Sequence, residues 1–179
     1  MSQYIYFYVK TNNDIYYPLG TFGRSHVIYE MFEDYAPYEK VAPLTKGFIK
    51  EAIDEMEIHI TNLNNSINAT NEAIDFLKTA AGDMDERIER LYELVNDKAE
   101  TKEEIERQKS AIAFGRTLLY MISEAEDDNA YSSENYKYGI DPEKYIYVGI
   151  ESGNPNVVYD DDGWNNIIEN RAIGYKKEN

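Results

Sequence analysis

The stretch IKEAIDEMEIHITNLNNSINATNEAIDFLKTAA, from Ile49 to Ala81, decides the fold. Ile49, Ile53, Met56, Ile60, Leu63, Ile67, Thr70, Ile74, Leu77 and Ala81 fall on one unbroken ladder of alternating four- and three-residue steps. Steps averaging 3.5 residues keep every rung on one seam of a helix that winds around a partner helix. All rungs but Thr70 are apolar. The seam therefore specifies a long helix in need of another helix, and it specifies no chemistry.

Working outward, Thr45 caps this helix and Gly82 closes it. Asp83 caps a second helix with Asp85 and Glu86 in its first turn. A second seam is read at Met84, Ile88, Leu91 and Val95. It lapses over Asn96–Glu104, where Thr101 and Glu104 have capping-box spacing, and resumes at Ile105, Ile112, Leu119 and Ile122. The pattern predicts a helical hairpin with a hinge near Asp97–Glu100. Its arms pair within one chain or across a dimer.

The flanks read as β structure. Gln3–Val9 alternates Tyr4, Tyr6 and Tyr8 with Ile5, Phe7 and Val9, a strand with both faces covered. Ile15–Leu19 is its return strand after the Thr11–Asp14 turn. Gly20–Ser25 then leads to a short helix, His26–Asp34, capped by Ser25. Tyr35–Pro43 reads as a loop, and Ala125–Asn135 as an acidic loop. Tyr145–Glu151 is a second strand region, with a short strand at Val157–Tyr159 and a helix near Trp164–Asn170. The predicted class is α+β. A small mixed or antiparallel sheet is built from residues 1–44 and 126–179, and a coiled-coil-like helical hairpin, residues 45–125, is inserted between.

Composition narrows the function classes. Of 179 residues, 18 are basic and 34 acidic, a net charge of −16. The net is −2 over residues 1–44, −7 over 45–124 and −7 over 125–179, so the excess is not a tail. Such a field repels nucleic acid, whose binding rests on neutralising phosphates with Lys and Arg. It attracts a basic groove on another protein. The chain has no cysteine, hence no disulfide and no thiolate zinc site. No apolar run approaches the roughly 20 residues that span a bilayer. Met1–Lys10 lacks the pattern of a signal peptide, so a cytoplasmic location and no membrane partner are expected. Tyrosine is abundant, 17 against 6 Phe and 1 Trp, and tyrosine is favoured both on strand faces and in interfaces.

Chemistry-bearing motifs are sparse. Gly20, Gly23, Arg24 and Ser25 sit between a strand and a helix start. Free N–H groups there, with Arg24 as a clamp and Tyr16 or Tyr29 as stacking partners, form a candidate nucleotide-phosphate site. The segment matches no nucleotide fingerprint. Asp160, Asp162, Gly163 and Glu169 have part of a calcium-loop spacing, but Val158 stands where the first ligand belongs, and an acidic turn is the better reading. The only histidines, His26 and His59, suggest no catalytic triad. No cofactor, no metal and no enzyme activity are expected.

The overall character, small, acidic, cysteine-free and rich in Asn and Tyr, resembles accessory proteins of phages and prophages of low-GC Gram-positive bacteria. That resemblance implies a counter-defence protein: an anti-CRISPR-like inhibitor or a sponge for a nucleotide immune signal. The leading expectation is a non-enzymatic inhibitor of a host defence factor. Glu86, Glu89, Glu93, Glu103 and Glu106 would stand in for phosphates in a basic nucleic-acid groove, a nucleic-acid mimic. The alternatives are a nucleotide sponge using Gly20–Ser25 and a phage structural or scaffold protein. A homo-oligomer is expected through the seam of Ile53, Met56, Ile60, Leu63, Ile67, Ile74 and Leu77.

Overall fold

A computed structural model describes residues 2–10, 16–38, 40–131 and 141–152. In chain order they form β1 (Gln3–Lys10), β2 (Tyr16–Gly23), α1 (Val27–Phe32), β3 (Val41–Pro43), α2 (Lys46–Thr79), α3 (Met84–Tyr131), a single 3₁₀ turn at Pro142–Lys144 and β4 (Ile146–Ser152). The chain is α+β, with an antiparallel sheet drawn from both terminal regions and a helical hairpin inserted between them. Contacts divide it into two units. One is Met1–Ile53 with Phe114–Asn179; the other is Asp54–Ala113. The divisions fall inside α2 and α3. The expected strand at Val157–Tyr159, the helix near Trp164–Asn170 and the acidic turn at Asp160–Gly163 lie outside the described residues.

In the first unit the sheet order is β2-β1-β4-β3. β1 is central, and Ile5 to Val9 are all buried, as alternating apolar and Tyr residues on a doubly covered strand require. On one face Phe7 meets Phe32 of α1 and Phe114 of α3, each at 5.2 Å, and Phe22 of β2 at 6.0 Å, all edge-to-face. Such pairs add about 0.5–1.5 kcal/mol each beyond area burial. On the other face Tyr8 stacks on Tyr147 at 5.5 Å, and Tyr6 and Val41 join them. Most of the tyrosine alternation is thus packing: Tyr6, Tyr8 and Tyr147 are buried. Gly149 faces Val41 across the β3–β4 ladder, where a Cβ would lie 2.3 Å from the Lys40 carbonyl oxygen.

The structure departs from several sequence expectations. β2 does not end at Leu19. It continues through Gly20 to Gly23, because β1 offers partners as far as Tyr4, and one β-bulge at Phe7/Tyr8 absorbs the register change. The cap of α1 is His26 and not Ser25: the His26 Nδ1 accepts from the Ile28 N–H at 3.2 Å. Val41–Pro43, read as loop, is a short edge strand on β4. α3 does not stop near Ala125. Leu118, Ile122 and Ala125 are buried, and Glu126 pairs with Lys46 at the start of α2.

In the second unit α2 and α3 pack as a hairpin. The turn follows the sequence closely. Gly82 has φ +139°, and the Asp83 carboxylate accepts from the N–H groups of Asp85 (2.8 Å) and Glu86 (3.2 Å). The α2 ladder from Met56 to Leu77 is sheltered throughout. On α3 the sheltered line is Arg87, Leu91, Leu94, Lys98, Thr101, Ile105, Gln108 and Ile112, and the same steps continue through Gly115, Leu119 and Ile122 in the first unit. This too is an unbroken four-three ladder. The expected seam of Met84, Ile88, Leu91 and Val95 is therefore out of phase; only Leu91 faces inward.

The polar rungs of the α3 ladder have partners. Arg87 donates to the Ala80 carbonyl, Lys98 to the Asn71 side chain, and Gln108 Nε2 to Glu104 at 2.9 Å. The hinge at Asp97–Glu100 is absent: α3 is continuous, and the Thr101 hydroxyl donates to the Asp97 carbonyl at 2.8 Å, an interior bond and not a cap. With the α2 seam covered by α3 of the same chain, that seam no longer calls for a second copy.

Candidate functional site

Two surfaces compete. The Gly20–Ser25 segment does not assemble the phosphate cradle expected of it. Gly20 and Gly23 are ladder residues opposite Phe7 and Tyr4. The Arg24 N–H donates to the Gln3 carbonyl at 3.0 Å, the His26 N–H to the Gly23 carbonyl at 2.8 Å, and the Ile28 N–H to His26. The donors that would have faced an anion are thus largely committed to holding the turn against β1. α1 has six residues, too short for an N-terminal dipole of consequence. Tyr29 is buried, its hydroxyl donating to Gln3 Oε1 at 3.3 Å, and so offers no stacking face. Burial raises the Tyr29 pKa, Glu33 and Tyr38 add to the rise, and the nearby Arg24 charge opposes it. Arg24 and Ser25 are exposed, and among the described residues Arg24 has no carboxylate partner. Tyr16 is a β2 residue whose backbone pairs with Lys10.

The outer face of α3 is the other candidate. Starting one residue after the Asp83 cap, Met84, Ile88, Tyr92, Val95 and Ala99 repeat in steps of four, four, three and four, on one side of the helix. All five are exposed: Met84 by 66%, Ile88 by 42%, Tyr92 by 69% and Val95 by 51%. Nine large apolar side chains are exposed among the described residues, and four fall in this one stretch. Singly scattered apolar residues need no explanation, whereas a contiguous row does. Along the helix the row is about 22 Å long at 1.5 Å per residue.

Asp85, Glu89, Asn96 and Glu103 are exposed along its edge, each one residue beyond a position of the row or its continuation at Lys102. One residue is about 100° of rotation. Further along the same face, Lys102, Glu103, Glu106, Arg107 and Ser110 line a shallow depression of about 420 Å³.

The five glutamates singled out in the sequence, Glu86, Glu89, Glu93, Glu103 and Glu106, are all exposed. They do not form one row. Glu86 and Glu93, seven residues apart, share one side; Glu89 and Glu103, fourteen apart, share another. Arg90 pairs with Glu93 at 2.5 Å, and Lys109 with Glu106 at 2.8 Å. Glu86, Glu89 and Glu103 carry the uncompensated charge.

Sequence reasoning placed the acidic residues on the surface but took Met84, Ile88 and Val95 for a buried seam, so it passed over the row they form with Tyr92. The missed signal was the second, polar-containing ladder on the same helix. Among the described residues no group of three or more His, Cys, Asp or Glu could hold a metal ion, and no helix is long and apolar enough to cross a membrane. Compared with known protein families, curated proteins and solved structures, the chain matches none of them.

Proposed function

We propose that the chain is a non-catalytic binding protein of the phage counter-defence type, inhibiting a host defence factor such as a nuclease complex through the outer face of α3. The observation that carries this reading is the combination on that face: an exposed apolar row with tyrosine in it, edged by carboxylates. Apolar anchors supply contact energy, and a negative edge steers the protein toward a basic surface and sets orientation. Asp85, Glu89 and Glu103, on the edge of the row, are the residues that would meet Lys and Arg groups otherwise used for nucleic acid. The nucleotide-sponge alternative draws little support from Gly20–Ser25, where the Arg24 and His26 N–H groups are committed within the fold.

The test is phage plating on Gram-positive hosts carrying defined nuclease-based defences, with the chain supplied in the cell. Wild type restores plating on at least one such host. A triple variant, Asp85→Asn, Glu89→Gln and Glu103→Gln, restores it less well. Undiminished restoration by the triple variant overturns the acidic mode of action, and no restoration by wild type on any defended host overturns the counter-defence reading.

A further inference from the structure

We infer that the row Met84, Ile88, Tyr92, Val95 and Ala99 is the seat of a basic amphipathic helix of another protein, laid along α3 with its Lys or Arg side chains over Asp85, Glu89 and Glu103. This rests on the reading of the α3 outer face as the binding surface and names the element that face receives.

Three observations choose the occupant. First, the row repeats at helical spacing over more than four turns, so a straight partner with the same repeat can follow it, as a helix in a groove does through positions i, i+3, i+4 and i+7. An extended peptide has a period of two and meets the row only at intervals. Second, the acidic residues lie along the edge of the row, while the ladder rungs Arg87, Leu91 and Lys98 are sheltered. A partner helix therefore meets carboxylates where the flank of its own apolar stripe lies, and the complementary flank is basic. Third, a second copy is a poor occupant. Residues 54–113 carry 15 acidic and 7 basic side chains, a net of −8, and the whole chain carries −16. Two copies would bring that charge together, and a two-fold antiparallel pair sets each acidic edge beside its own equivalent. A row about 22 Å long buries the area of a transient interface, below about 1,200 Å² in total, and micromolar affinity is expected.

The experiment uses the full chain and three labelled synthetic helical peptides: one with a leucine stripe and lysine flanks, one with serine in place of the leucines, and one with glutamate flanks. Binding is followed by fluorescence anisotropy at low and high salt. The leucine–lysine peptide is expected to bind, more weakly as salt rises, and the other two at least tenfold more weakly. The deciding variant is Ile88→Asp with Val95→Asp. It makes the surface more acidic, so attraction by charge alone would strengthen binding, whereas docking on the row predicts a loss of tenfold or more. Ile58→Asp, at an exposed position on α2, serves as the control and leaves binding unchanged; circular dichroism checks that helicity is kept.

Equal or tighter binding by the double variant overturns the inference. So does equal binding of the glutamate-flanked peptide, or a wild-type dimer that the double variant dissolves, which would make a second copy the occupant. Because these measurements use purified components, they are independent of plating: loss of peptide binding with plating restored removes this inference alone.

Discussion

Lys98 on α3 donates through its ammonium to the side-chain carbonyl of Asn71 on α2, a polar rung in an otherwise largely apolar seam. Its charge also acts on Asp75, whose pKa is lowered first by a hydrogen bond from Lys78, then by the Lys78 charge, and to a smaller degree by Lys98. Polar rungs of this kind fix register at a cost in stability. Asn71→Ala alone leaves the ammonium without its acceptor and is expected to cost about 1–2 kcal/mol. Replacing both Asn71 and Lys98 by Leu is expected to raise the melting temperature above that of Asn71→Ala and to wild type or beyond. Thermal unfolding of wild type and the two variants checks the order.

Gly149 and Gly115 look alike in sequence and differ in space. At Gly149 a Cβ meets a backbone carbonyl at 2.3 Å; at Gly115 it meets the side-chain ends of Met31 (3.0 Å) and Ile53 (3.1 Å), which can turn aside. Gly149→Ala is expected to destabilise by about 3 kcal/mol or more through strain in the sheet. Gly115→Ala is expected to stay within about 1 kcal/mol of wild type, the crowding offset by better helix propensity. Denaturant titration of both distinguishes them.

The continuity of α3 predicts hydrogen-exchange behaviour. Amides of Asp97–Glu104 should be protected as well as those of the turns on either side, since the helix runs unbroken through them. Ala99→Pro should cost about 3 kcal/mol, as proline does inside a helix. Fast exchange confined to this segment, with Ala99→Pro tolerated, would restore the hinge.

Arg24 is exposed, its backbone N–H donates to the Gln3 carbonyl, and among the described residues its side chain has no carboxylate partner. Arg24→Ala is therefore expected to shift stability by no more than about 0.5 kcal/mol. Calorimetry of wild type against cyclic and linear nucleotides should give no binding heat. Heat that disappears in Arg24→Ala would revive the nucleotide site.

Tyr29 sets an alkaline limit. Its folded pKa is raised, chiefly by burial, so the folded state holds the proton more tightly than the unfolded one. The sign follows: the contribution is complete below the ordinary tyrosine value of about 10 and is lost as pH climbs from there through the raised folded value. Tyr29→Phe forgoes the bond to Gln3, worth about 1 kcal/mol, and should show a shallower loss of stability above pH 10 than wild type.

How much of this was legible depends on what each position had to do. The α2 seam was readable because nearly every rung is apolar, and Asp83 and Gly82 mark the turn by chemistry that serves little else. The α3 seam was not, because Arg87, Lys98, Thr101 and Gln108 occupy rungs that a hydrophobic pattern skips; Lys98 and Arg87 reach acceptors at Asn71 and Ala80, and Thr101 and Gln108 bond within α3. The apolar row beside it imitated a seam, which is why the phase was misread. Gly20 and Gly23 have poor strand propensity, and only pairing with β1 draws them into β2. The candidate site was half legible: the carboxylates were in view, but whether Tyr92 and Ile88 face out depends on the phase of α3, which the partner helix sets.

That phase is open to one direct measurement: peroxide oxidation of the methionines in the native protein, mapped by mass spectrometry. Met84 stands in the exposed row, and Met56 lies on the sheltered α2 ladder. Oxidation follows access to the sulfur. The account predicts that Met84 oxidises several-fold faster than Met56. Met84 protected as well as Met56 would contradict it, placing the row Met84–Val95 either inside the hairpin or beneath a second copy of the chain.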